Sequence, residues 1–127
     1  MGALILDANV LIALLDRADP HHTKAVDDVE AADQTDRELV VPASAYSEAL
    51  VAFARAGRIA DARAAIAAMG IAVVAMSAGT AERAAELRAQ HPKLRLGDAV
   101  VLATARSLSG DLLTYDRSLA RLAGNGT

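Results

Sequence analysis

An α/β fold, with an open and mainly parallel sheet covered by helices, is predicted by three observations. Short runs of about four apolar residues recur along the chain, each followed by a longer stretch with helical spacing. Glycine or proline marks most of the boundaries. No repeat, linker or low-complexity tract interrupts the alternation. Apolar runs of this length read as strands buried on both faces, which is the pattern of a parallel sheet between helices.

In order, Ala3-Leu4-Ile5-Leu6 is the first strand, bounded by Asp7. A helical segment follows through Val10, Leu11, Leu14 and Leu15 and ends near Asp19-Pro20. A second helix spans 21–32, with Ala25, Val26 and Val29 on its inner face, and the polar run Asp33-Gln34-Thr35-Asp36 is a loop. Glu38-Leu39-Val40-Val41 is the second strand, and Pro42 suits the opening of a helix that runs to about Ala56. That helix stops at Gly57, and the next, 59–69, stops at Gly70, glycine being favoured just past a helix end. Ile71-Ala72-Val73-Val74 is the third strand. A helix from about Thr80 to Gln90 is ended by Pro92, and another from Asp98 to Leu108 closes at Gly110. Asp111-Leu112-Leu113-Thr114 is the last strand, and a short helix from Arg117 finishes the chain.

The 127 residues suit a single domain, 1–127, large enough for one core. Hydrophobic residues at 54% and charged residues at 23% are globular proportions. The absence of cysteine removes disulfides and thiolate metal sites and fits a reducing compartment. The N-terminus carries no basic leader, and Asp7 breaks its first apolar stretch, so a soluble cytoplasmic protein with no membrane association is expected. The net charge of −3 is the wrong sign for general attraction to nucleic acid, and 2% aromatics leaves no base-stacking platform. A nucleic-acid ligand therefore needs local help, which divalent cations can give.

Four carboxylates stand in apolar company. Asp7 is the only charge from Met1 to Leu15, Asp116 follows the last strand, and Asp98 opens the helix that continues Ala99-Val100-Val101-Leu102. Glu48 shares a helical stripe with Ser44, Ala45, Val51 and Ala52, so it is expected to point inward or into a cleft. No lysine or arginine lies within a turn of Glu48, nor of Asp98 along the helix it is expected to open. The ordinary roles are capping for the three aspartates and solvent exposure for the glutamate. Against them, two of the aspartates follow strand ends, where a doubly wound sheet places its ligand. An uncompensated carboxylate is also costly unless paired or bound to metal. All-oxygen ligands suit Mg²⁺ or Mn²⁺ better than zinc. Two such ions roughly 3.5–4 Å apart serve in-line phosphodiester hydrolysis.

The residues also resemble a known family. Leu4-Ile5-Leu6-Asp7-Ala8-Asn9-Val10-Leu11-Ile12-Ala13-Leu14 is similar to the opening of PIN-domain toxins of the VapBC toxin–antitoxin type. Pro42-Ala43-Ser44-Ala45-Tyr46-Ser47-Glu48 resembles the segment carrying that family's glutamate. Gly97-Asp98-Ala99-Val100-Val101-Leu102-Ala103-Thr104-Ala105 and Leu113-Thr114-Tyr115-Asp116-Arg117-Ser118-Leu119 resemble its third and fourth acidic blocks. The likeness runs from Leu4 to about Leu122, with all four acids present; Ala8 and Tyr115 depart from the commoner threonine and alanine.

The resemblance implies a PIN-like three-layer fold with four to five strands and an endoribonuclease toxin that needs Mg²⁺ or Mn²⁺. A VapB-like antitoxin would hold it inactive, and it would form a homodimer. Asp7 and Asp98 would be the main metal ligands, Asp116 would complete the coordination, and Glu48 would orient or deprotonate the attacking water. Asn9, Ser44 and Thr114 would fix the carboxylates as supporting donors. RNA cleavage would leave a 5′-phosphate and a 3′-hydroxyl. Helices within 8–32 and 43–69, rich in alanine, are expected to form the antitoxin groove.

Other readings fare less well. A haloacid-dehalogenase-like phosphatase wants a second aspartate where Asn9 stands, and a phosphorylation receiver wants a lysine after the last strand, where Asp116-Arg117 stands. Neither glycine-rich nucleotide motif occurs. A catalytically silent PIN scaffold that only binds protein or RNA would be expected to lack an acid. His21, His22 and His91 do not form a zinc set. Glu82, Arg83, Glu86 and Arg88 make a wet helix face, and Tyr46 and Phe53 suit packing. Arg17, Arg55, Arg58, Arg95, Arg106 and Arg117 are available for phosphate, and Tyr115 is the one aromatic suspected of touching a base.

Overall fold

A computed structural model describes residues 2–124. Its strands are β1 (Leu4–Leu6), β2 (Leu39–Pro42), β3 (Ile71–Val74) and β4 (Asp111–Leu113). The helices are α1 (Ala8–Leu15), α2 (His22–Gln34), α3 (Ala43–Arg55), α4 (Ile59–Ala68), α5 (Ala78–Gln90), α6 (Leu96–Ser107) and α7 (Arg117–Leu122). The four strands form one parallel sheet in the order β3-β2-β1-β4, with seven helices flanking it among the described residues. This is the predicted α/β class, with four strands.

β1 lies between β2 and β4, with Leu4 opposite Leu39 and Asp111, and Leu6 opposite Leu113. Asp7 N–H donates to the Leu113 carbonyl at 3.0 Å, extending that ladder by one step. The carboxyl ends of β1 and β4 are therefore side by side. At the other end Arg37 gathers the strand starts, donating to the carbonyls of Gly2 and Ala3 and pairing with Asp111 at 2.7 Å.

The core is built on Ile5, Leu6, Val10, Leu11, Val41, Leu102 and Leu119, all sealed from solvent. β1 and β2 are buried along their whole length. The edge strands depart from the expectation of burial on both faces: Ala72 and Val73 of β3 are exposed, as is Asp111 of β4. An edge strand has a neighbour on one side only, which leaves more of its residues open to solvent than a central strand. α6 is the most enclosed helix, with every residue from Ala99 to Ala105 buried. Alanine and valine let it pack close to the sheet.

Glycine stops are where the sequence places them: Gly57 (φ 69°) and Gly70 (φ 72°) take the left-handed conformation after α3 and α4. Gly110 differs. The left-handed residue after α6 is Ser109 (φ 51°), whereas Gly110 lies against the Ala3 carbonyl and the Ile5 side chain, where a Cβ would have no room. Helix starts shift more. α5 begins at Ala78, because the Ser77 hydroxyl accepts from Thr80 N–H at 3.1 Å, and α6 begins at Leu96 rather than at Asp98.

Candidate active site

Asp7 ends β1 and caps α1 with extended backbone (φ −76°, ψ 162°). Its carboxylate accepts from Ala8 N–H at 2.8 Å through one oxygen and from the Thr114 hydroxyl at 2.8 Å through the other. The residue is 6% exposed, and no cation pairs with it among the described residues. Burial pushes its proton affinity above the ordinary carboxylate value. The hydrogen bonds from Thr114 and Ala8 oppose that shift, and the neighbouring charges of Asp98 and Asp116 add to it. Two acids distant in the chain thus act on Asp7.

Thr114 joins the β4 side to α1. Besides donating to Asp7, its hydroxyl accepts from Asn9 Nδ2 at 3.2 Å and from Asp116 N–H at 3.1 Å. Asn9 in turn accepts from Tyr115 N–H at 3.2 Å. Thr114 therefore touches Asp7 directly, and Asn9 reaches it through Thr114. Ser44 does neither: its hydroxyl is buried without a hydrogen-bond partner.

Asp116 caps α7, accepting from Ser118 N–H at 2.9 Å and Leu119 N–H at 3.2 Å. Capping and proximity to Asp7 coexist in this side chain. Asp98, half-buried in the first turn of α6, has a long 3.5 Å contact to Arg95. This corrects the expectation that Asp98 lacks a partner: α6 starts two residues earlier than its pattern suggests, so Arg95 stands at i−3 on the same face.

Asp98 and Asp116 line a groove of about 700 Å³ together with His91, Lys93, Arg95 and Arg121. Glu48 is placed differently. Of the two expected placements, inward or into a cleft, it takes the second and is exposed. It lines a separate groove of about 490 Å³ between α1 and α3, walled by Ile12, Leu15, Arg17, Val51 and Phe53. Glu48 nonetheless approaches the start of α6: a Cβ at Gly97, the residue before Asp98, would stand 2.9 Å from Glu48 Oε1. A third hollow, about 250 Å³ beside Ser77, Arg83 and Arg106, contains none of the four acids. Among the described residues, no three carboxylates or imidazoles converge closely enough to hold an ion as they stand.

Tyr115 is not free to receive a base. Its ring stacks on His21 at 4.8 Å, Lys24 Nζ lies 5.5 Å from its centroid, and its hydroxyl donates to Asp28 at 2.9 Å. Burial and the Asp28 carboxylate hold its phenol well above the ordinary tyrosine range. The residue ties α2 to the end of β4. Lys93 and Arg121, which line the groove with Asp98 and Asp116, had no signal in the sequence: neither stands in a motif, and only folding brings them there.

The described residues contain no helix long and apolar enough to cross a membrane. No curated protein sequence matches the chain. Among solved structures, it resembles the toxin VapC20 of Mycobacterium tuberculosis, a Sarcin-Ricin loop cleaving toxin, at 18% identity and a TM-score of 0.73, over 94% of this chain and 95% of that one. It also resembles a chain of a toxin–antitoxin complex from Klebsiella pneumoniae at 25% identity and a TM-score of 0.75, over 90% and 87% of the two chains. The model of the PIN domain matches residues 4–125. The chain belongs to the PIN-domain family, with the fold of a VapC toxin.

Proposed function

We propose that this chain is a Mg²⁺- or Mn²⁺-dependent endoribonuclease, the toxin of a type II toxin–antitoxin pair, acting through Asp7, Glu48, Asp98 and Asp116. The observation that carries the reading is Asp7: a buried carboxyl at the end of β1 with no cationic partner, acted on by Asp116 beyond the end of the adjacent strand β4 and by Asp98 in the first turn of α6. Uncompensated charge of this kind is costly, and a hard cation relieves it.

The donor set fits such an ion. Every candidate ligand is a carboxylate oxygen, and the buried Ser44 hydroxyl lacks a partner. Like charges account for the acids not closing on one point by themselves. Asp7 and Asp98 would hold the ion, with Asp116 completing the set. A bound divalent cation supplies Lewis acidity and neutralises phosphate charge. Thr114 and Asn9 keep Asp7 from rotating. Glu48, exposed and adjacent to Gly97, is available to orient the attacking water or take its proton.

The antitoxin would seat in the groove between α1 and α3, where Ile12 and Val51 are 38% and 43% exposed. A neighbour of the same fold comes from a toxin–antitoxin complex. A homodimer in the cytoplasm completes the reading. RNA cleavage with Mg²⁺ or Mn²⁺, with and without EDTA, tests it on the unsubstituted chain and on Asp7→Asn. Cutting should be sensitive to chelation. The variant should lose more than the roughly 10–100-fold that removing an outer partner costs. Equal activity in both proteins would refute the assignment.

A further inference from the structure

The segment from Thr114 to Asp116 joins β4 to α7 and belongs to neither element. Thr114 and Asp116 serve Asp7: the Thr114 hydroxyl donates to its carboxylate at 2.8 Å, and the charge of Asp116 acts on it. The side chain of Tyr115, between them, reaches α2 instead. Its hydroxyl donates to Asp28 at 2.9 Å, its ring stacks on His21 with centroids 4.8 Å apart, and Lys24 Nζ stands 5.5 Å from the ring centre. The residues that hold it are themselves held. Asp28 also accepts from Lys24 at 3.2 Å, and His21 N–H donates to the Asp19 carboxylate at 2.8 Å. On its backbone side, Tyr115 N–H donates to Asn9 Oδ1 at 3.2 Å, and Asn9 Nδ2 donates to the Thr114 hydroxyl.

We propose that Tyr115 is a positioning residue for the cation site, its side chain clasped by His21, Lys24 and Asp28 so that Thr114 and Asp116 are held against Asp7. The proposal rests on the nuclease reading and adds to it a residue outside the four acids that sets how tightly the ion is bound. The contacts form a closed circuit. Asp7 caps α1, α1 packs on α2, α2 holds Tyr115, and the neighbours of Tyr115 return to Asp7. Among the described residues the acids do not converge by themselves, so an ion has to gather them. Gathering costs conformational freedom, and a short segment outside any element has the most to lose. A segment restrained beforehand loses less, which leaves the ion more tightly bound. Filling space would need only an apolar side chain, whereas here the hydroxyl and the ring are each engaged by a different partner.

The test uses the full chain and Mn²⁺, with binding read from the electron paramagnetic resonance signal of the free ion. Melting in EDTA is followed in parallel by calorimetry. Tyr115→Phe removes only the hydroxyl, Tyr115→Ala removes the whole clasp, and Asp28→Asn keeps an oxygen that can accept from the hydroxyl. Tyr115→Phe is also made in Thr114→Val, which breaks the route from the segment to Asp7.

Tyr115→Ala should weaken Mn²⁺ binding by about tenfold, the low end for an outer partner of a metal ligand. Tyr115→Phe should weaken it by roughly threefold, the loss of one hydrogen bond, and Asp28→Asn should stay within about twofold of the parent. With Thr114→Val in place, Tyr115→Phe should cost almost nothing further in Mn²⁺ affinity while still lowering Tm, because the contact with α2 is lost in either background. Tyr115 variants that melt earlier yet bind Mn²⁺ like the parent would make the clasp merely structural and overturn the proposal. So would an equal loss of affinity with and without the Thr114 hydroxyl, or an Asp28→Asn loss as large as that of Tyr115→Ala. Should Tyr115→Ala fail to fold, Tyr115→Phe decides alone. A parent that binds Mn²⁺ and cuts RNA, with Tyr115 variants that bind equally well, sinks only this proposal; a parent that binds no Mn²⁺ sinks the nuclease reading with it.

Discussion

Asp7 is the residue at which stability and the proposed chemistry conflict. Its folded-state proton affinity is raised from the reference value of 3.8, chiefly by burial. The folded chain therefore favours the protonated acid. Its contribution to stability is fully present below the unfolded value and is lost as pH rises through the folded one. In EDTA, the urea midpoint of the unsubstituted chain should fall relative to that of Asp7→Asn as pH climbs from about 4 toward neutrality. A difference that stays flat across that range would show that burial places no penalty on the ionised form. Asn at this position keeps a single acceptor oxygen, so it meets only one of the two donors, Ala8 N–H and the Thr114 hydroxyl. The absolute midpoints thus shift by a hydrogen bond as well, and the informative quantity is the slope with pH.

At the scale of elements, the start of α6 sets the relation between the acids. Arg95 is extended (ψ 151°), Leu96 begins the helix, and Gly97 then lies in its first turn. Glycine in a helix costs roughly 1 kcal/mol relative to alanine. The reason for it here is local: Glu48 Oε1 of α3 is 2.9 Å from where a Cβ would project. Gly97→Ala should leave stability unchanged or raise it by up to about 1 kcal/mol, because the exposed glutamate can swing aside. Cleavage should fall on the order of tenfold if Glu48 works from its present position. Stability is read from urea unfolding and cleavage from initial rates; undiminished cleavage would remove Glu48 from the site. Tyr115 shows the same kind of coupling, since its stack on His21 and its bond to Asp28 hold α2 against the end of β4.

For the whole molecule, the strand order is what assembles the acids. β1 pairs with β4 on one side and β2 on the other, so residues following β1 and β4 face each other across one ladder, and α6 packs against all three strands. A ligand that binds only this folded arrangement stabilises it by mass action. At a hundredfold excess over Kd, Mg²⁺ or Mn²⁺ should add about 2.7 kcal/mol. That corresponds to a rise in Tm on the order of 10 °C for a domain of this size. Asp7→Asn and Asp98→Asn should show little of it by calorimetry. An equal rise in all three proteins would place the ion somewhere else.

What the sequence determined alone was what depends on near neighbours in the chain. The α/β class follows from short apolar runs alternating with helical spacing, and the stops at Gly57 and Gly70 follow from glycine's access to positive φ. Asp7, Glu48 and Asp98 stood out because apolar residues surround them in the chain, and Asp116 because it follows the last strand. Helix starts were less legible: Ser77 is a preferred capping residue that apolar spacing alone passes over, and Arg95 begins α6 with no side-chain cap to mark it. Tertiary structure decided the relations between distant residues. It set Thr114 on Asp7, left the Ser44 hydroxyl without a partner, engaged Tyr115 with His21, and put Glu48 on the far side of Gly97. It also placed Lys93 and Arg121 along the groove of Asp98 and Asp116. Such contacts depend on which strands pair and on the rotation at which each helix packs, and periodicity within one segment carries neither.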